Sequence, residues 1–93
     1  EEGGVLLDRM RTDMEEVETA LAAALEDGDL HEVRSQTHIL MSLASAVAAL
    51  PTEHSARRLN RLTAEGDPDA VAIAGKVCLG RLAALRHEMA AAR

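Results

Sequence analysis

The residue in this chain best placed to do nucleophilic chemistry is His38. It sits inside the run Asp29-Leu30-His31-Glu32-Val33-Arg34-Ser35-Gln36-Thr37-His38-Ile39-Leu40-Met41-Ser42-Leu43-Ala44-Ser45-Ala46-Val47. There Leu30, Val33, Thr37, Leu40, Ala44 and Val47 recur at three and four, the period of a helix with one buried stripe. At about 100° per residue, His38 points roughly 130° away from the centre of that stripe, so its imidazole faces solvent or a partner. A neutral imidazole nitrogen is a nucleophile near physiological pH. Arg34 and Ser35 lie one turn before it, Met41 and Ser42 one turn after, and Ser45 beyond. The serines leave room for a second surface, and the Arg34 guanidinium stands near anything bound to the ring. This pattern predicts a reversible modification delivered by another protein. Ile39 and Leu43 fall on a shoulder of the helix, where they pack on a neighbour or form a docking patch.

The elements that must hold this helix are punctuated clearly. Leu7, Met10, Met14, Val17, Leu21 and Ala24 predict a first helix from about Val5 to Asp27. Gly28 suits the left-handed position after a helix end. Asp29 then reads as an N-cap, with Glu32 completing a capping box. The second helix is expected to end before Leu50-Pro51. A third carries Ala56, Leu59, Leu62 and Thr63 inward and stops at Glu65-Gly66. Asp67-Pro68 reads as N-cap and first-turn proline of a fourth, with Val71, Gly75, Cys78, Leu82, Leu85 and Met89 inward. Gly75 weakens the helix locally and predicts a close backbone approach there. Short links between long helices imply antiparallel neighbours. The expected fold is all-α, an antiparallel up-down-up-down four-helix bundle forming one domain over 1–93. Within it, residues 1–4 are expected to be disordered. The opening Glu1-Glu2-Gly3-Gly4 lacks an initiator Met and reads as the start of a segment of a longer chain.

Composition narrows the function. Hydrophobic residues make up 47%, yet Phe, Tyr and Trp are absent, so there is no stacking platform for single-stranded nucleic acid. Residues 1–32 carry a balance of −9 and residues 33–93 one of +3, for a net −6. That total disfavours nucleic acid, whose phosphates need a concentrated basic surface. The single cysteine, Cys78, permits no internal disulfide and fits a reducing compartment. Its place on the inward stripe predicts a core thiol. No apolar run approaches the ~20 residues that span a bilayer. No Glu-x-x-His pattern or i, i+4 histidine pair points to a metal, and no glycine-rich phosphate loop points to ATP. His31, His54 and His87 read as surface residues. Arg57, Arg58 and Arg61 form a basic cluster on the third helix, either solvated or steering an acidic partner toward the His38 face.

The run Gly28-Asp29-Leu30 … Val33 … Thr37-His38-Ile39-Leu40-Met41-Ser42 resembles the histidine-containing phosphotransfer (HPt) domain, whose motif around its phosphorylated histidine is A-H-x-L-K-G. The likeness extends from about Leu6 to Met89, through the four-helix layout and the Gly-Asp steps before the second and fourth helices. The resemblance implies a cytoplasmic phosphocarrier without autokinase activity, free-standing or the terminal module of a hybrid sensor kinase, with no direct membrane contact. His38 would accept a phosphoryl group from a receiver-domain aspartate and pass it to a response regulator. It implies no cofactor in this domain, Mg²⁺ in the partner receiver, and a monomer. Thr37 stands where the family usually has Ala, Met41 where it has Lys, Ser42 where it has Gly, and Ala48-Ala49 where a Gly-Ala pair follows. Arg34 is the expected source of the charge lost with the lysine. Ser35, Ile39, Met41, Ser42, Leu43, Ser45 and the three arginines are the expected docking residues. Two other functions compete: the same bundle docking a receiver or kinase without carrying phosphate, and a purely structural helical domain.

Overall fold

A computed structural model describes residues 2–91. It contains four helices and, among the described residues, no strand: α1 Glu2–Asp27, α2 Leu30–Ala46, α3 Leu50–Glu65 and α4 Pro68–Ala91. Each helix packs on two neighbours, α1 on α2 and α4, and α3 on α2 and α4. Two cross-links give the direction of the outer pair. Arg86 Nε donates to Glu18 Oε1 at 2.8 Å, and Leu25 sits against Gly75. As the α1 partner advances from 18 to 25, the α4 partner retreats from 86 to 75, so the two run antiparallel. The links between consecutive helices are short enough to reverse the chain each time. The bundle is all-α, as the periodicity predicts.

The core is aliphatic. Met14, Val17, Leu21 and Ala24 of α1 meet Val33 and Leu40 of α2, Ala56 and Leu59 of α3, and Val71, Cys78 and Leu82 of α4. Thr52 and Ala74, outside the expected stripes, are buried as well. The close approach at Gly75 is made by a side chain and not by the expected backbone: a Cβ there would stand 2.7 Å from Leu25 Cδ1. No described helix is long and apolar enough to cross a membrane.

Helix α1 begins at Glu2, ahead of the expected Val5, so residues 2–4 are helical; residue 1 lies outside the described residues. Extending a formed helix fixes one residue per added bond, which makes such an extension easy. The α1–α2 turn departs from expectation in one bond. Asp29 Oδ1 accepts from the Glu32 N–H at 3.1 Å, as an N-cap should. Glu32 does not return the bond: its carboxylate accepts from Gln36 Nε2 at 2.7 Å, while the Asp29 N–H donates to Ala24 O at 2.9 Å. The capping box stays half closed because that N–H already terminates α1. With Gly28 at φ 68° and its N–H on Leu25 O, this is a Schellman ending.

The α2–α3 turn uses the same geometry without a glycine. Ala48 N–H donates to Ser45 O at 3.1 Å, and Ala49 N–H to Ala44 O at 2.8 Å. Ala48 takes φ 56°, the one non-glycine positive φ among the described residues. At the third turn Gly66, at φ 75°, donates to Leu62 O. Asp67 Oδ1 then accepts from the Asp69 and Ala70 N–H groups.

Candidate functional site

Two fully buried side chains of α2, Thr37 and Leu40, anchor the turn that carries His38. With these pointing inward, helical geometry sends the intervening His38 and Ile39 outward, and both are exposed. The anchor is also tied sideways to α3. Asn60 Nδ2 donates to Thr37 Oγ1 at 2.9 Å and to Arg34 O at 3.1 Å. The Thr37 hydroxyl donates back to Val33 O at 2.8 Å. Thr37 is therefore more than a bulkier alanine: its oxygen receives a bond that crosses between helices directly beneath His38.

An open groove of about 530 Å³ lies above this clamp, lined by His31, Arg34, Ser35, His38, Ile39 and Asn60. Four of these are expected site residues. His31 and Asn60 are additions. His31 carried a legible signal, since it lies two turns before His38 and so within about 20° of it on the helix surface. Asn60 carried none within α2, because its role depends on which helix packs alongside.

Arg34 is exposed and makes no ion pair among the described residues. Its guanidinium is available to an anion placed on the imidazole one turn away. Ser42 and Ser45 are exposed on the same outward face. Met41 and Leu43 behave differently: both are half-buried and pack against the core cluster. Position 41 thus holds an apolar side chain because part of it turns into the bundle.

The three arginines of α3 do not act as one cluster. Arg57 donates to Glu53 Oε2 at 2.8 Å, one turn away. Arg58 lines grooves between α3 and α4, and none of the three lines the groove at His38. The reason is angular: consecutive helix positions diverge by about 100°, so Arg57 and Arg58 serve different sides of α3.

The remaining groups with chemistry lie elsewhere. Cys78 is fully buried, and burial pushes its thiol up to about 11 from an ordinary 9.0. A hydrogen bond and ion pair with Glu18 raise the Arg86 pKa above its usual range. A smaller cleft of about 310 Å³ between Ala24, Leu25, Leu30, Val33 and Val71 is lined by hydrocarbon and offers no acid, base or nucleophile. No group of three or more His, Cys, Asp or Glu side chains suited to a metal converges among the described residues.

No protein-family model matches the chain, and no curated protein or solved structure matches it either.

Proposed function

We propose that His38 is a reversible phosphoacceptor and that the domain is a histidine phosphotransfer module of a two-component phosphorelay. The observation that carries this reading is an exposed imidazole over a rigid inter-helix clamp, in an open groove shared with an arginine that makes no ion pair. The resemblance of the chain around His38 to the HPt motif supplies the reaction class.

The chemistry asks little of this side of the complex. A neutral His38 ring nitrogen attacks the phosphorus of an aspartyl phosphate on the partner receiver. The N–P bond forms as the bond between phosphorus and the aspartate oxygen breaks, and the electron pair returns to the carboxylate. The reverse step delivers the group to a second receiver. Such transfers depend on positioning and on neutralising the phosphoryl oxygens. Asn60 and Thr37 fix the turn that aims the ring, and Arg34 supplies positive charge where Met41 replaces the family's lysine. The receiver brings Mg²⁺ and the acidic pocket. The exposed serines, with Ile39, give the receiver surface a close approach. The reading places the domain in the cytoplasm, alone or at the end of a sensor kinase.

The test is transfer from a phosphorylated receiver to the wild-type chain and to His38→Gln. Label on the wild type alone supports the proposal. Receiver binding without label on either chain would move the assignment to a docking bundle that carries no phosphate.

A further inference from the structure

Helix α4 carries two apolar stripes where a bundle helix needs one. The first, which includes Val71, Cys78, Leu82 and Met89, is buried in the core. The second is Ala70, Ile73 and Val77, at helical spacing and about 100° around the helix from Cys78. It borders a groove between α3 and α4. Ile73 is 68% exposed and Val77 49%, and Leu50, at the far end of the groove, is 57% exposed. Two concavities of about 570 and 410 Å³ share Ser55, Arg58 and Val77, so the groove is continuous. It runs along α4 from Ala70 to Arg81, about 16 Å or three helical turns.

Its charge selects the occupant. In a chain of net charge −6, this groove is lined by Arg58 and Arg81 and by no carboxylate. Neither arginine makes an ion pair among the described residues. A second copy docked about a two-fold axis would bring these like charges together, which disfavours self-association here. We infer that this groove docks an acidic amphipathic helix of a partner protein, about three turns long. Its apolar residues at i, i+4 and i+7 lie on Leu50, Ile73 and Val77, and its flanking carboxylates meet Arg58 and Arg81. The groove shares no residue with the one at His38, so a partner held here leaves the imidazole open. The domain then has two surfaces, one for exchange and one for tethering.

The probe is a fluorescein-labelled synthetic helix of three turns, with leucines at i, i+4 and i+7 and glutamates on both flanks. A second peptide has lysine in place of every glutamate. In fluorescence anisotropy the glutamate peptide is expected to bind the full chain at least about tenfold more tightly than the lysine peptide. Ile73→Asp and Arg58→Glu, both at exposed positions, should each weaken it about tenfold. His38→Gln should leave it unchanged, and Ile73→Asp should leave phosphotransfer to His38 unchanged. Equal binding of the two peptides, binding of neither, or indifference to Ile73→Asp would overturn the inference. So would a concentration-dependent dimer, or binding to phosphatidylserine vesicles, that Ile73→Asp abolishes, since the occupant would then be a second copy or a membrane.

Discussion

Replacing Ala48 with glycine should stabilise this protein, against the usual direction of a glycine substitution in a helical chain. Three helices end in a left-handed residue: Gly28 at φ 68°, Ala48 at φ 56° and Gly66 at φ 75°. An L-residue with a Cβ loses roughly 1–2 kcal/mol in that conformation. Glycine escapes this but gains freedom in the unfolded chain worth roughly 0.4–1 kcal/mol. Ala48 is exposed, so its methyl gives up little packing. The difference leaves Ala48→Gly more stable by about 0.5–1 kcal/mol, or roughly 2–8 °C in Tm for a domain of this size. The reverse changes form the control. A Cβ at Gly28 or Gly66 meets nothing within 4 Å, so Gly28→Ala and Gly66→Ala should each lose about that amount through backbone conformation alone. Urea unfolding of the four proteins, compared by midpoint at constant slope, reads the three differences. The reasoning fails if Ala48→Gly is less stable than the wild type while Gly28→Ala is neutral. Success would also say what a glycine does at position 48, where the HPt pattern has its Gly-Ala pair.

Three further outcomes are expected. In a double-mutant cycle on urea unfolding, Thr37→Val and Asn60→Ala should show a coupling of about 1 kcal/mol, the net worth of one interhelical hydrogen bond; a coupling near zero would remove the clamp from the account. The buried Cys78 thiol titrates near 11 when folded, against 9.0 ordinarily. Because the folded state holds its proton more tightly, this contribution is complete below pH 9 and is lost as pH rises toward 11. Stability should therefore fall by roughly 2 kcal/mol across that window, and Cys78→Ala should lack the slope; an identical slope in both would refute the assignment to the thiol. Arg34→Ala should slow phosphotransfer about tenfold with the fold intact, as expected for losing one charge-assisted contact to the phosphoryl group, and an unchanged rate would discard Arg34 as the replacement for the lysine.

The architecture was legible because each helix writes its own buried stripe. Thr37 and Leu40 inward and His38 outward follow from spacing alone, as do the breaks at Gly28 and Gly66. What was not legible depends on neighbours. Asn60 reaches Thr37 only because α3 lies along that flank of α2, and no pattern within α2 names it. Met41 and Leu43 looked like members of the partner face, but both sit near enough to the inward stripe to pack on the core. The arginine cluster looked unified in sequence, yet the helix separates Arg57 from Arg58 and a local carboxylate engages Arg57. The open capping box shows the same limit, since Ala24 on α1 had already taken the Asp29 N–H. Ala48 is the reverse case: its neighbours give no glycine signal, and the left-handed turn is imposed by the helices it joins.

The central claim, that His38 carries phosphate, is tested most directly by intact-protein and tandem mass spectrometry after incubation with a phosphorylated receiver. The account predicts one added phosphoryl group, located on His38, lost in acid, retained in base and absent from His38→Gln. Phosphate located on a serine, or a chain that stays unmodified with several receivers while the fold is intact, would contradict it.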